Sequence, residues 1–283
     1  MTPLLKDKIC LVTGATSGIG LETAGSLAEL GATVIITGRN EDIGKKVVSD
    51  IKNRTGNGFI ELLIADFASQ AEVRRLASEV KERYDRLDVL INNAGLYQPD
   101  HTLTADGVEL TFAVNYLAPF LLTHELVDLL SKGAPSRVIN MSSSFHVRGK
   151  INFDDINFTK DYSGMQAYMN TKLALLHFTY QMAENIQELG ITVNAVHPGI
   201  VKTNLPRQRG FYSFLLRLLP FITAKKGAET SIYLASSPDV RDITGKYFVK
   251  KKPKETSEAS YDMEVRKKLW ELSSKLTKTN GYQ

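Results

Sequence analysis

Cysteine occurs once in 283 residues, at Cys10. A single thiol cannot close an internal disulfide, so a stapled secreted scaffold is excluded. The five histidines (101, 124, 146, 177 and 197) are scattered, no two stand at i, i+4, and no Cys/His spacing suits zinc, so no metal site is expected. Long apolar runs are also missing. The longest, Phe211 to Ile222, is interrupted by Arg217 and Pro220 and falls short of the ~20 residues that cross a bilayer. Met1 to Lys8 hold no apolar signal segment, so a cytoplasmic location is expected, with contact at a membrane surface left open. Charge of one sign is scarce in the body. The net charge is +4, but the segment from Lys246 onward carries ten Lys/Arg against five Asp/Glu, or +5, which leaves −1 for the rest. A nearly neutral body without a basic, aromatic-laced helix argues against nucleic-acid binding.

What is present is alternation. Short apolar runs recur at 9–12, 33–37, 59–65, 88–91, 137–141, 191–196 and 246–249, separated by helical stretches near 19–30, 70–84, 104–131, 164–189 and 226–236, with a charged helix from Glu41. Buried parallel strands joined by helices of ten or more residues give an α/β, doubly wound, mostly parallel sheet of the Rossmann-like kind. No Pro/Gly/Ser-rich linker divides the chain, so residues 1–283 are read as one domain. Residues 203–224 interrupt the alternation and are the candidate substrate lid, while 250–283 form a basic C-terminal extension.

The first strand is followed by Thr13-Gly14-Ala15-Thr16-Ser17-Gly18-Ile19-Gly20. Glycines here let the backbone turn tightly and approach a pyrophosphate at the N-terminus of the next helix. A Walker-type loop is excluded, because Gly38 to Gly44-Lys45 has five intervening residues and Lys46 stands where Ser or Thr is needed. At the end of the second strand stands Thr37-Gly38-Arg39-Asn40, with no carboxylate before Glu41. An acidic residue there would take the ribose hydroxyls of NAD, whereas Arg39 can pair bidentately with a 2′-phosphate. NADP(H) is therefore expected in preference to NAD(H).

The spacing Gly-x-x-x-Gly-x-Gly, the run Asn92-Asn93-Ala94-Gly95 after the fourth strand and Tyr168-Met169-Asn170-Thr171-Lys172 in a helix resemble, in order, the motifs of the short-chain dehydrogenase/reductase family. The likeness covers nearly the whole chain. It implies that Thr16, Ser17, Ile19, Asn93, Ala94 and Gly95 join the glycines at the cofactor, that Asp66 contacts the adenine, and that Pro198, Gly199 and Thr203 hold the nicotinamide end. Thr203 would bond the carboxamide.

Tyr168 and Lys172 are four apart, on one helix face and about 6 Å apart along its axis. A phenol with pKa near 10 is a poor base, and a neighbouring ammonium together with an oxidised nicotinamide favours the phenolate. Taken alone, such a pair is more often a packed tyrosine beside a snorkelling lysine than a catalytic one. Ser142, Ser143 and Ser144 follow the fifth strand at the sheet's carboxyl edge, where a hydroxyl could bond a substrate oxygen. The resemblance selects Ser143, and Asn115 as the fourth catalytic residue, which would help place Lys172 and a water. The interval of 25 residues from Ser143 to Tyr168 is wider than is usual in the family. The insert Phe145 to Gln166 is similar to that of its retinol dehydrogenase-like branch. His146 and His197 are read as structural.

Together with these residues, the resemblance implies hydride exchange between NADP(H) and a lipophilic aldehyde or ketone and its alcohol, such as a retinoid or a lipid-derived aldehyde. The greasy 211–222 run would line the pocket. The resemblance also implies a homo-oligomer through the helices near 104–131 and 164–189. Three alternatives stand beside this reading: a dinucleotide sensor without chemistry, an NAD-dependent dehydrogenase of a small alcohol, and a membrane-surface protein built on the lid and basic tail.

Overall fold

The computed structural model describes residues 4–201 and 221–279. Its strands are the apolar runs of the sequence: β1 (Ile9–Val12), β2 (Thr33–Gly38), β3 (Ile60–Ile64), β4 (Val89–Asn92), β5 (Ser136–Met141), β6 (Ile191–His197), β7 (Tyr247–Val249) and the short β8 (Lys252–Pro253). They form one sheet in the order β3-β2-β1-β4-β5-β6-β7-β8. All pairs are parallel except β7 with β8. The chain winds outward from β1 to β3, then crosses to β4 on the other side of β1. That reversal opens a crevice at the carboxyl ends of β1 and β4.

The helices are α1 (Gly18–Glu29), α2 (Glu41–Thr55), α3 (Gln70–Arg83), α4 (Leu110–Lys132), α5 (Gly164–Asn185), α6 (Ala224–Ser236) and α7 (Met263–Thr277). Strand residues alternate between two cores because successive side chains point to opposite faces. Leu11 and Ile35 pack with α3, α4 and α5, whereas Cys10, Val12, Val34 and Ile36 pack with α1, α2 and α6. α4 is long and apolar enough to span a bilayer, but it lies almost wholly inside the protein and serves as a core helix.

Two elements depart from the sequence reading. α4 begins at Leu110 and not near 104, because residues 102–110 close on themselves: Leu103 bridges Glu109 and Leu110 N donates to Thr102 O. The buried Glu109 carboxylate then caps the helix, accepting from Thr111 N (2.9 Å) and Phe112 N (2.7 Å). The helix expected over 164–189 ends at Asn185, and a 3-10 turn, Gln187–Leu189, completes the stretch before Gly190.

The basic C-terminal extension is built into the protein. Lys250 and Lys251, with φ of 51° and 65°, form the two-residue turn between β7 and β8. Two positive φ values match the right-handed twist of a hairpin. α7 lies on α4 and α5 through Trp270, whose ring is 5.1 Å from those of Phe120 and His124 and 6.3 Å from that of Phe178. Tyr116 Oη and Ser273 Oγ are 2.8 Å apart, and Arg74 of α3 donates to the Thr277 carbonyl at the helix's end. The aromatic faces of the two long helices expected to join subunits are thus covered in part by the chain's own C-terminus. Of the expected lid, residues 203–220 lie outside the described residues. Its end is tied back to the segment that follows β6, with Ile222 N donating to Ile200 O (2.9 Å) and Thr223 capping α6.

Candidate active site

Everything singled out in the sequence that is described gathers along the carboxyl edge of the sheet. The glycine loop leaves β1 and is held there by neighbouring strands. Gly14 N donates to Thr37 Oγ1 of β2 (3.0 Å), and Asn93 Nδ2, just past β4, donates to the carbonyls of Thr13 (2.8 Å) and Gly14 (3.1 Å). Thr13 Oγ1 accepts from both Asn93 N and Ala94 N at 2.9 Å. Gly14 has φ +62°, and a Cβ there would lie 2.9 Å from the Ala94 Cα. A side chain at Gly14 is therefore disfavoured by conformation and by space. Thr13 and Thr37 were not singled out in the sequence. Their place beside Gly14 and Gly38 was the available signal.

The loop opens α1, and this helix start differs from the others. Ser17 stands at the N-cap with an exposed side chain that caps nothing, and no acidic residue occupies the first turn. A Cβ built on Gly18 meets nothing within 4 Å. A helix N-terminus with its leading N–H groups uncapped, facing open space and free of carboxylates, fits an anionic phosphate group. Thr16 lies against Gly38, where a Cβ would stand 2.4 Å from its Cγ2. The exposed Arg39 follows β2. The first carboxylate beyond it, Glu41, is already paired to Lys45 at 2.7 Å, which holds that carboxyl below its usual range. Asp66 follows β3 with an exposed side chain, and its Oδ1 accepts from Ala68 N at 3.0 Å. Pro198 and Gly199 follow β6, Gly199 with φ +94° beside Ile222. Thr203 lies outside the described residues.

Ser143, Tyr168 and Lys172 converge one strand further along. Ser143 follows β5, its Oγ accepts from Phe145 N at 3.3 Å, and it lies near enough to the Tyr168 phenol to favour the phenolate. Tyr168 and Lys172 lie on one face of α5, with Nζ 5.3 Å from the phenol ring centre. Lys172 is buried, donates to the Met141 carbonyl at 2.9 Å, and its own carbonyl accepts from Ser142 Oγ at 3.0 Å. α5 is thereby fastened to the end of β5, which fixes the lysine's height along the sheet edge.

The electrostatics of the protein alone run against the expected lowering of Tyr168. Burial raises its pKa and the Ser143 hydrogen bond acts in the other direction. Burial also pushes Lys172 down to about 8, since removing an ammonium from water costs more than one backbone carbonyl returns.

Asn115 sits in a π-helical turn, Ala113–Leu117, within α4, an irregularity frequent at functional sites. Its side chain is committed to the backbone after β4: Oδ1 accepts from Leu96 N (2.7 Å) and Nδ2 donates to Leu96 O (2.8 Å). A longer contact reaches Thr171 Oγ1 at 3.4 Å, and that hydroxyl donates to the Tyr168 carbonyl at 2.7 Å. The Asn115 side chain thus joins α4, the loop after β4 and the turn of α5 that carries Tyr168. Among the described residues no group of His, Cys, Asp and Glu could hold a metal ion.

The model of the short chain dehydrogenase family matches residues 8–210. Human retinol dehydrogenase 13 is 40% identical over 281 residues, covering 96% of this chain and 85% of that protein. Human polyprenol dehydrogenase is 38% identical, with 97% and 86% covered. Among solved structures, an uncharacterized protein from Mycobacterium paratuberculosis aligns over 98% of this chain and 96% of its own, with a TM-score of 0.80 and 32% identity. A short chain dehydrogenase from Burkholderia cenocepacia in complex with NADP aligns over 86% of this chain and 96% of its own, with a TM-score of 0.72 and 29% identity.

Proposed function

The chain belongs to the short-chain dehydrogenase family, in its retinol dehydrogenase-like branch, and we propose that it is an NADP(H)-dependent oxidoreductase interconverting a lipophilic alcohol and its aldehyde or ketone. The observation that carries this reading is the meeting of Ser143, Tyr168 and Lys172 at the sheet edge that also bears the uncapped start of α1. The glycine loop from Gly14 to Gly20 would hold the pyrophosphate, Arg39 the 2′-phosphate, Asp66 the adenine, and Asn93 to Gly95 with Pro198, Gly199 and Thr203 the nicotinamide half. When bound, the nicotinamide supplies or accepts the hydride.

The chain's own residues do the rest. The Ser143 hydroxyl orients the substrate oxygen and stabilises the charge that develops on it. Tyr168 Oη gives that oxygen a proton during reduction and takes one from the alcohol during oxidation. Lys172 places its ammonium 5.3 Å from the phenol ring centre, where a cation favours the phenolate. Asn115 acts as a positioning residue through Leu96 and Thr171.

Lipophilic substrates are supported by the names of the relatives, retinol and polyprenol dehydrogenases, and by the apolar 211–222 run. Peripheral contact with a membrane, where such substrates concentrate, belongs to the same proposal, with the lysines of the β7–β8 turn as the contact surface. Vesicle flotation at low and high salt tests that part. The main test follows consumption of NADPH and NADH separately against carbonyls from short aldehydes to retinal. Faster NADPH oxidation with long or retinoid carbonyls is the expected result. Preference for NADH would remove the role given to Arg39, and binding of both without consumption would replace the enzyme with a sensor.

A further inference from the structure

The peptide unit between Ser143 and Ser144 is held from both sides by histidine rings. Its carbonyl, Ser143 O, lies 2.7 Å from His146 Nδ1. Its N–H, on Ser144, donates to His197 Nδ1 at 3.3 Å. His146 is buried in the 3-10 turn Ser144–Arg148, while His197 ends β6, so the two rings come from different elements. The far nitrogen of His146, Nε2, accepts from Ser257 N at 3.3 Å, and its ring stands edge-on to Tyr247 at 5.1 Å.

These partners dictate the protonation of both rings. A carbonyl oxygen can only accept, so His146 Nδ1 carries the proton, and Nε2, facing an N–H, carries the lone pair. His197 Nδ1 also faces an N–H, so a neutral His197 has its proton on Nε2. Either ring in its charged form would set a ring N–H against a backbone N–H. The surroundings oppose that charge. Burial is the main penalty on the imidazolium in both rings; Lys254 adds to it at both and His146 adds to it at His197, while the Ser143 carbonyl alone works the other way, at His146. His197 is pushed down to about 4.

We propose that His197 and His146 clamp the 143–144 peptide and so act as positioning residues for the Ser143 hydroxyl, with His146 extending that support to the C-terminal segment at Ser257. The proposal rests on the oxidoreductase reading above, since it assigns Ser143 a reacting partner. The Ser143 Oγ is one rotation away from the clamped peptide. A tilt of that plane moves the hydroxyl relative to Tyr168, and misplacement by about 1 Å can cost on the order of 100-fold in rate.

The ring nitrogens of the wild-type protein can be read by NMR, and turnover of NADPH with retinal can be measured from pH 5 to 9 for wild type, His197→Leu and His197→Asn. The tautomer assignment requires His146 in the Nδ1–H form and His197 in the Nε2–H form at pH 7. His197→Leu is expected to lower kcat on the order of 100-fold with the NADPH Kd unchanged. His197→Asn, whose Oδ1 takes the place of Nδ1, should restore most of kcat across pH 5 to 9, where His197, pushed down to about 4, stays uncharged. The opposite tautomers, or a charged His197 at pH 7, would overturn the clamp even if the leucine variant does not fold. Equal kcat in wild type and His197→Leu, or an asparagine variant no better than the leucine one, would overturn its positioning role. If the wild type itself consumes no coenzyme, the oxidoreductase reading fails, and the NMR assignment still decides the clamp.

Discussion

Two serines begin helical turns at the same edge of the sheet, and the chain treats them in opposite ways. Ser17, after β1, caps nothing and stands at a helix start without acidic residues. Ser143, after β5, accepts from Phe145 N, and its peptide is bonded on both sides by side chains. The first turn leaves its donors for a ligand to satisfy. The second completes its own hydrogen bonds so that one hydroxyl stays where it is needed. The other helices show that an open start is a choice of sequence here: Asn40, Ser69, Ser163, Thr223 and Asp262 cap α2, α3, α5, α6 and α7 with their side chains. Under the proposed function, nucleotide binding and proton transfer ask for different local structure, one unsatisfied and one over-determined.

The comparison breaks most severely at Gly14. Gly14→Val puts a β-branched residue at φ +62° with its Cβ 2.9 Å from Ala94 Cα, so the loop must move. NADPH fluorescence titration should show affinity lower by at least about 100-fold, on the order of 3 kcal/mol. Unchanged affinity would mean that the loop does not carry the phosphates. Ser17→Asp sharpens the contrast by closing the open end. The new carboxylate should cap α1, adding about 1 kcal/mol of stability in the absence of coenzyme, while repelling the pyrophosphate and weakening NADPH roughly tenfold. Thermal melts and titration of the same variant check the two opposing signs together.

The smallest effect is a slope. Lys172 has a folded-state pKa of about 8 against an ordinary 10.5. Between those values the unfolded chain binds more protons than the native protein. This group's contribution to stability therefore rises with pH from about 8 to 10.5, and below 8 its buried charge is a net cost. Urea unfolding without coenzyme at pH 8 and pH 10 should show wild type gaining stability relative to Lys172→Met by at most about 1.4 kcal/mol per pH unit. Parallel pH dependence in the two proteins would show Lys172 to be well solvated.

Much of this was readable before any coordinates. Strand-forming runs such as Val34-Ile35-Ile36 are buried on both faces, so they appear as continuous apolar stretches, and the helices between them mark a doubly wound sheet. Other features depend on contacts that no local pattern encodes. The start of α4 was read too early because the closure of 102–110 depends on a buried carboxylate, Glu109, held also by Tyr162 from the 145–166 insert (3.1 Å). The Lys250-Lys251 turn carries neither Gly nor Asn, the residues that usually mark positive φ. The lowering of Tyr168 rests on the Lys172 ammonium together with an oxidised nicotinamide, whereas in the protein alone burial raises the phenol and only Ser143 works against that. The histidine clamp acts on a peptide unit, and side-chain motifs say nothing of such bonds.

In the proposed mechanism Tyr168 carries the proton while the glycine loop, separately, carries the coenzyme. Stopped-flow oxidation of NADPH by retinal, with NADPH Kd measured in parallel, compares wild type with Tyr168→Phe. Loss of one hydroxyl should lower the single-turnover rate by roughly 10³-fold or more and leave Kd within about twofold. A phenylalanine variant that transfers hydride at the wild-type rate would contradict the account.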